Sequence, residues 1–282
     1  MTIKDLNFPV PFTKMSGTGN DFIIIDHRHP FLSTKEASKL ASLICRRKFS
    51  AGADGLILIE DSDTENFRWQ FFNADGSLAE MCGNGARCAA RYAFTNNIAP
   101  ANMRFATTAG IIEAQMVGEG VKIKLTLPEN LQMDQTITID ENKLTMHSIN
   151  TGVPHAVVLV NEINDAPVLE WGRAIRHHKL FMPAGTNVNF AQVNGPNKLH
   201  VRTYERGVED ETMACGTGAV AAAIIASITE QVSSPTLVTT TGGETLIIHF
   251  TKNANNDITE VFLEGPAHFI YEGQMNKEAL LN

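Results

Sequence analysis

Hydrophobic positions fall along the chain in short bursts separated by glycine-rich or polar turns. "PFTKMSG" (11–17) and "DFIIIDH" (21–27) predict strands joined by the turn "GTGN" at 17–20. Residues 33–47, "STKEASKLASLICRR", change to helical spacing, with Ser33 or Thr34 as N-cap and Glu36 early. "GLILIE" (55–60) and "FRWQFFN" (67–73) predict a strand pair around a polar loop. An alanine-rich helix follows Cys82, and residues 103–128 read as successive hairpin strands broken at Gly110 and at "GEG".

The second half repeats that order. Strands around "HAVVLV" (155–160) precede a helix near 165–179, and "TNVNFAQV" (186–193) and "LHVRTYER" (199–206) read as strands. An alanine-rich helix follows Cys215, and "TLVTTTGGETLIIHF" (236–250) and "EVFLEGPAHFIYEG" (260–273) close the chain as strands. Each of these two helices is opened by Cys-Gly-x-Gly-Ala, in "EMCGNGARCAARYA" and in "TMACGTGAVAAAII". The two cysteines stand 133 positions apart (215 − 82), too far for a solenoid repeat, so two domain-sized copies are expected. Their boundary is expected near "LTLPENLQMD" (125–134), where a proline and polar residues interrupt the strands.

Composition narrows the class. The chain has 282 residues, which favours about two domains, and a hydrophobic fraction of 43%, which favours a packed core over disorder. A formal net charge of −8 with no basic cluster beyond "CRRK" (45–48) argues against nucleic acid or an anionic membrane surface as partner. No apolar run approaches the roughly 18 residues that span a bilayer. The opening "MTIKDLNFPVPF" has neither the apolar segment nor the cleavage site of a signal peptide. Four cysteines are too few for a disulfide scaffold, so a cytoplasmic protein with reduced thiols is expected.

The paired cysteines admit several readings. A single cysteine before a glycine turn is ordinarily packing, the reading kept for Cys45 and Cys88. Cys82 and Cys88 would sit about 600° of rotation and roughly 9 Å of rise apart on a helix, which excludes a local disulfide. Neither half offers Cys and His at zinc-ligand spacing, so no metal is expected. "GTGAVA" (216–221) matches a nucleotide-loop pattern, but "GNGARC" (83–88) breaks it, and no acidic residue follows Gly218 at the distance a ribose needs.

As a pair the cysteines make chemical sense. A thiol at a helix N-terminus feels the positive end of the macrodipole and free backbone N–H groups, which lower its pKa. Those N–H groups also form a carboxylate site, and the glycines let backbone come close to a ligand. Two such ends could hold one carboxylate with a sulfur on either face of the adjacent carbon. One thiolate would then remove an α-proton and the opposite thiol return one, inverting the centre. Two adjacent thiols would share one charge and titrate as a unit.

On "FTKMSGTGNDFIIID", "FNADGSLAEMCGNGARCAARYA", "TGVPHAVV", "TNVNFAQV" and "RTYERGVEDETMACGTGAVAAA" the chain closely resembles the diaminopimelate epimerase family along nearly its whole length. The resemblance implies an α/β (α+β) fold of two pseudo-symmetric domains, each with mostly antiparallel sheets wrapped around a central helix and with the site in the cleft between them. It implies domains of 1–128 plus 267–282 and of 129–266. It also implies independence of pyridoxal phosphate and of metals, no other cofactor, and a homodimer. The substrate would be a small amino acid, with LL- and meso-2,6-diaminopimelate interconverted on the route to lysine.

Carried over by motif, Cys82 and Cys215 become the two bases, Cys82 the acid and Cys215 the base for the LL isomer. Backbone N–H groups at Gly83, Asn84, Gly216 and Thr217 would hold the reacting carboxylate. Asn20, Asn73, Asn187, Glu205 and Arg206 would hold the distal amino-carboxylate, and His155 and Glu205 would modulate the thiol pKa values. Without the resemblance, Asn20 and Asn73 are turn residues, His155 a core histidine, and Glu205–Arg206 an exposed ion pair. Gly55 after Asp54 and Val153 in "GVPH" depart from family variants that place a glutamine and an asparagine there. Both departures touch only the distal pocket. Two alternatives remain: a proline-type or other amino-acid racemase of the same fold, and a binding or redox-sensing protein using both cysteines as a switch. The distal polar set argues against a monocarboxylate substrate.

Overall fold

A two-residue turn opens the fold. Strands β1 (Val10–Gly17) and β2 (Asn20–Asp26) pair antiparallel with Gly17 opposite Asn20. Thr18 (φ 46°) and Gly19 (φ 84°) make the connection, and positive φ at both central residues suits the twist of a tight hairpin. Glycine adopts that geometry freely, whereas a β-branched threonine needs other contacts to hold it. The computed structural model describes residues 6–139, 141–255 and 257–281. Contacts divide the chain into a first unit, Met1–Ile123 with Gly265–Asn282, and a second, Lys124–Glu264.

In the first unit, helix α1 (Thr34–Ile44) takes Ser33, not Thr34, as its N-cap. The Glu36 amide donates to the Ser33 hydroxyl while the Ser33 amide donates to the Glu36 carboxylate, a reciprocal cap. Its buried stripe Ala37, Leu40, Ala41 and Ile44 joins Ile23, Ile25, Leu56, Leu58 and Phe72 in one apolar cluster. Strand β3 (Gly55–Glu60) runs parallel to β2, and β4 (Phe67–Asn73) pairs antiparallel with β3. Helix α2 (Gly83–Thr95) follows; it is buried almost continuously from Asn84 to Ala93 and packs on β1, β2 and β3. Its run of alanines lets the strands approach from several sides. Strands β5 (Asn102–Thr107), β6 (Gly110–Val117) and β7 (Gly120–Lys124) continue the sheet, β5 parallel to β4 and the rest antiparallel.

The second unit repeats this lattice. Strands β8 (Glu129–Ile139) and β9 (Asn142–Asn150) form a long hairpin, and β9 pairs antiparallel with β10 (Pro154–Leu159). Helix α3 (Val168–Arg176) starts after Pro167, within the wider span the spacing predicts, and a 3₁₀ turn Lys179–Phe181 follows it. Strand β11 (Asn187–Gly195) lies parallel to β10, β12 (Lys198–Glu205) antiparallel to β11, and the short β13 (Asp210–Thr212) antiparallel to the end of β12. Helix α4 (Gly216–Ile228) is buried from Gly218 to Ser227. Strand β14 (Thr236–Thr239) is parallel to β12, and β15 (Thr245–Lys252) and β16 (Ile258–Pro266) complete the order antiparallel.

Pairing senses therefore match from β1 to β7 and from β9 to β16, with the extra strand β13 set aside. The match extends one strand further. In the second unit β8 flanks β9; in the first, β17 (His268–Met275) flanks β1 with Val10 opposite Met275. The architecture is the expected α+β repeat, a mostly antiparallel sheet around one central helix per unit. Among the described residues, no helix is long and apolar enough to cross a membrane.

Leu40 is fully buried in its cluster, so Leu40→Ala should cost about 2–5 kcal/mol, through lost transfer energy and an incompletely collapsed cavity. Ser33→Ala removes only the cap and should cost about 1 kcal/mol. Urea denaturation should separate the two clearly.

Candidate active site

Both candidate cysteines occupy the N-cap position of a buried helix. Cys82 caps α2 with φ −145° and ψ 118°, and Cys215 caps α4 with φ −124° and ψ 107°, both extended. Neither side chain makes a cap hydrogen bond. All four cysteines are free thiols; Cys45 and Cys88 are buried, while Cys82 and Cys215 are partly exposed. Among the described residues, no group of three or more His, Cys, Asp or Glu could hold a metal ion.

Around Cys82 a chain of polar groups runs in one direction. Asp54 accepts from Asn20 Nδ2 at 2.9 Å. Asn20 Oδ1 accepts from Asn84 Nδ2 at 2.7 Å, and Asn84 Oδ1 accepts from Arg87 Nη2 at 2.7 Å. A carboxylate accepts and a guanidinium donates, so the two ends fix the orientation of both amides between them. Arg87 Nη2 also donates to Thr18 Oγ1 at 2.7 Å, which holds the threonine at its positive φ. Asp54 is anchored in turn by Arg47 at 2.9 Å. Asn20 and Asn84 are thus brought together, and the Asn84 side chain is used inside the protein. Asn73 Nδ2 donates to Ser77 Oγ at 2.9 Å within an exposed turn.

Around Cys215 the frame is built from different residues. Asn189 Oδ1 accepts from Thr203 Oγ1 at 2.9 Å, and its Nδ2 lies 3.1 Å from His155 Nδ1. The amide nitrogen can only donate, so Nδ1 accepts and the ring proton sits on Nε2. Nε2 donates to Thr217 Oγ1 at 3.0 Å, and Thr217 Oγ1 lies 3.6 Å from Cys215 Sγ. That order leaves the threonine hydroxyl proton available to the sulfur. A β-carbon at Gly218 would overlap Asn189 Oδ1, so this glycine is required by close approach, not by a turn. Asn187 accepts from the Arg206 amide at 2.8 Å and donates to Pro154 O at 3.3 Å, which ties the end of β12 to the start of β10. One Arg206 Nη1 donates to Ala184 O at 3.2 Å.

The thiol pKa values differ from the sequence expectation. Burial pushes Cys82 up, against the amide hydrogens of Gly85 and Asn84 and the charge of Arg87. Burial and the Glu205 carboxylate push Cys215 up to about 11, against the Thr217 hydroxyl and the amides of Gly218 and Thr217. The helix ends lower both thiols as expected, but desolvation outweighs them. Glu205 is itself raised by burial, opposed by the Thr212 hydroxyl.

Sequence reasoning missed Asp54, Arg87, Asn189 and the Thr217 side chain. Only "GNGARC" carried a signal, an arginine inside an otherwise small-residue helix start. Burial, with help from Arg206, pulls His155 down to about 3. Unfolded histidine titrates near 6.5, so the unfolded chain binds the extra proton between those values and folding stability falls as pH drops through that window. His155→Gln should flatten that loss in urea midpoints measured from pH 7 to 4. The wild-type His155 ring signals should not titrate by NMR between pH 8 and 5.

The diaminopimelate epimerase family model matches residues 12–129 and 147–270. A diaminopimelate epimerase of Aquifex aeolicus is 45% identical over 279 residues, covering 95% of this chain and 99% of its own. That of Hydrogenobaculum sp. is 46% identical, covering 94% and 98%. That of Archaeoglobus fulgidus is 37% identical, covering 94% and 95%. Among solved structures, a phenazine biosynthesis protein of the PhzF family from Bacillus anthracis shares the fold at TM-score 0.74 and 15% identity, covering 94% and 98%. A hydroxyproline epimerase from Agrobacterium vitis shares it at 0.66 and 13%, covering 96% and 94%. With a cysteine at the head of each central helix and relatives matched over almost their full lengths, this chain belongs to the diaminopimelate epimerase family.

Proposed function

We propose that this protein interconverts LL- and meso-2,6-diaminopimelate in lysine biosynthesis by a cofactor-independent two-base reaction. The observation that carries the reading is the doubled Cys-Gly-x-Gly-Ala helix start, with Cys82 and Cys215 in the same N-cap role. For the LL isomer the Cys215 thiolate takes the α-proton, and the Cys82 thiol delivers its own proton to the opposite face. The negative charge ends on Cys82, and the meso isomer runs the same steps in reverse. Such a reaction requires both sulfurs to reach opposite faces of one carbon in the working enzyme.

Backbone N–H groups at Gly83, Asn84, Gly216 and Thr217 hold the reacting carboxylate and take up charge that spreads onto it as the α-carbon is deprotonated. Arg206 offers a fork to the distal carboxylate, and Glu205 with Asn20, Asn73 and Asn187 receives the distal ammonium. Asn187 supports that role indirectly as well, because it fixes the backbone that carries Arg206. Neutral His155 acts through Thr217, directing a hydroxyl proton at Cys215 and favouring its thiolate. A pKa above the ordinary thiol range makes each thiolate scarcer but a stronger base, which suits a weakly acidic α-proton. The enzyme works in the cytoplasm as a homodimer, its mass measurable by light scattering.

In deuterated water, LL-diaminopimelate should gain deuterium at one α-carbon and change chirality there, whereas proline should do neither. Cys82→Ala and Cys215→Ala should each lower epimerisation by roughly 10²–10⁴-fold. Either variant turning over at near wild-type rate defeats the two-base scheme. Arg206→Ala should raise KM by roughly 10- to 100-fold, the loss of about 1.5–3 kcal/mol of charge-assisted hydrogen bonding.

A further inference from the structure

The two helices share a plan but not an electrostatic environment. Five residues after its cysteine, α2 carries Arg87, and α4 carries Val220 at the corresponding position. Arg87 is completely buried. Its guanidinium donates to Thr18 Oγ1 and Asn84 Oδ1, each at 2.7 Å, to Pro266 O at 3.3 Å and to Gly83 O at 3.5 Å. The last contact puts a fixed cation beside the first turn, whose cap is Cys82. The corresponding charge near Cys215 has the opposite sign, the Glu205 carboxylate at the end of β12. Other charges do not reverse the contrast. Asp54 acts against Arg87 at Cys82, as the smaller effect, and His155 facing α4 from β10 is neutral.

We propose that Arg87 is a positioning residue that makes Cys82, and not Cys215, the sulfur that ionises first in the substrate-free protein. It acts through Cys82 and through the Asn84–Asn20 chain, without touching the substrate. The inference rests on the two-thiol reading above and adds a direction to it. Conversion of the LL isomer starts from a Cys215 thiolate and a Cys82 thiol and ends with a Cys215 thiol and a Cys82 thiolate. Arg87 therefore stabilises the state in which that conversion finishes. A proton must return from Cys215 to Cys82, by way of solvent, before the next LL molecule can react.

The test is carbamidomethylation of the substrate-free protein by iodoacetamide from pH 6 to 10, with each cysteine followed by peptide mass mapping. Thiolate is the reactive form, so rates report ionisation, and buried Cys45 and Cys88 serve as internal controls. At pH 7.5 Cys82 should react roughly 10-fold faster than Cys215, equivalent to about one pKa unit. Arg87→Met should slow Cys82 by a similar factor and leave Cys215 within about twofold, while Arg87→Lys should keep most of the preference. A purely structural arginine would alter both cysteines together and would not be rescued by lysine. Cys215 reacting first in the wild type, or an Arg87→Met protein that keeps the wild-type Cys82 rate, overturns the proposal. If Arg87→Met does not fold by circular dichroism, the wild-type order still decides, together with Glu205→Gln, which should accelerate Cys215 alone. No turnover is required, so a protein inert towards diaminopimelate would defeat the proposed activity without touching this result.

Discussion

The first amide hydrogens of an α-helix have no carbonyl partner within that helix, and the site is organised around that shortfall. Serine, threonine or an acid commonly closes such an end, as Ser33 closes α1. At α2 and α4 the cap is a cysteine whose side chain makes no cap bond. The helix starts therefore keep donors available for something negative, either the sulfur itself or a carboxylate. Keeping them available requires the rest of each unit to hold the helix without help from its cap. That is the physical reason both helices are sheathed by strands and built from alanine.

Duplication supplied two similar helix starts, and the polar frames around them then diverged. In the first unit the frame runs from Asp54 through two amides to a buried cation; in the second it runs from Asn189 through a neutral imidazole to a hydroxyl. Both frames fix the orientation of the amide, imidazole and hydroxyl groups they contain. They differ in charge. A symmetric frame would give the two thiols equal proton affinities, whereas these frames let them differ.

The elements were largely readable because their hydrophobic periods are clean. "DFIIID" and "GLILIE" are buried nearly throughout, as parallel neighbours should be, and the cysteine-headed helices announce themselves by composition. The hairpin of β8 and β9 was obscured for an identifiable reason. Positive φ at Asn130 and Asp134 accompanies two register shifts in β8, so alternation fails just where a boundary was expected. The site divides the same way. Cys82 and Cys215 carry their own local signature, but Asp54, Asn189 and the reach of Arg87 to Thr18 depend on contacts 14 to 69 residues apart in sequence. The raised thiols escaped for a related reason, since desolvation belongs to the folded surroundings and not to the motif.

The return of β17 to the edge of β1 has a consequence for how the chain is made. Synthesis runs from the N-terminus, so β1 leaves the ribosome with its outer edge unpaired and stays so while the whole second unit is produced. Arg46 and Ser50 likewise wait for their carbonyl partners at Leu281 and Ala279. The unit translated first is thus the one completed last. Its open edge during that interval is where a nascent polypeptide of this kind most needs a chaperone or rapid elongation.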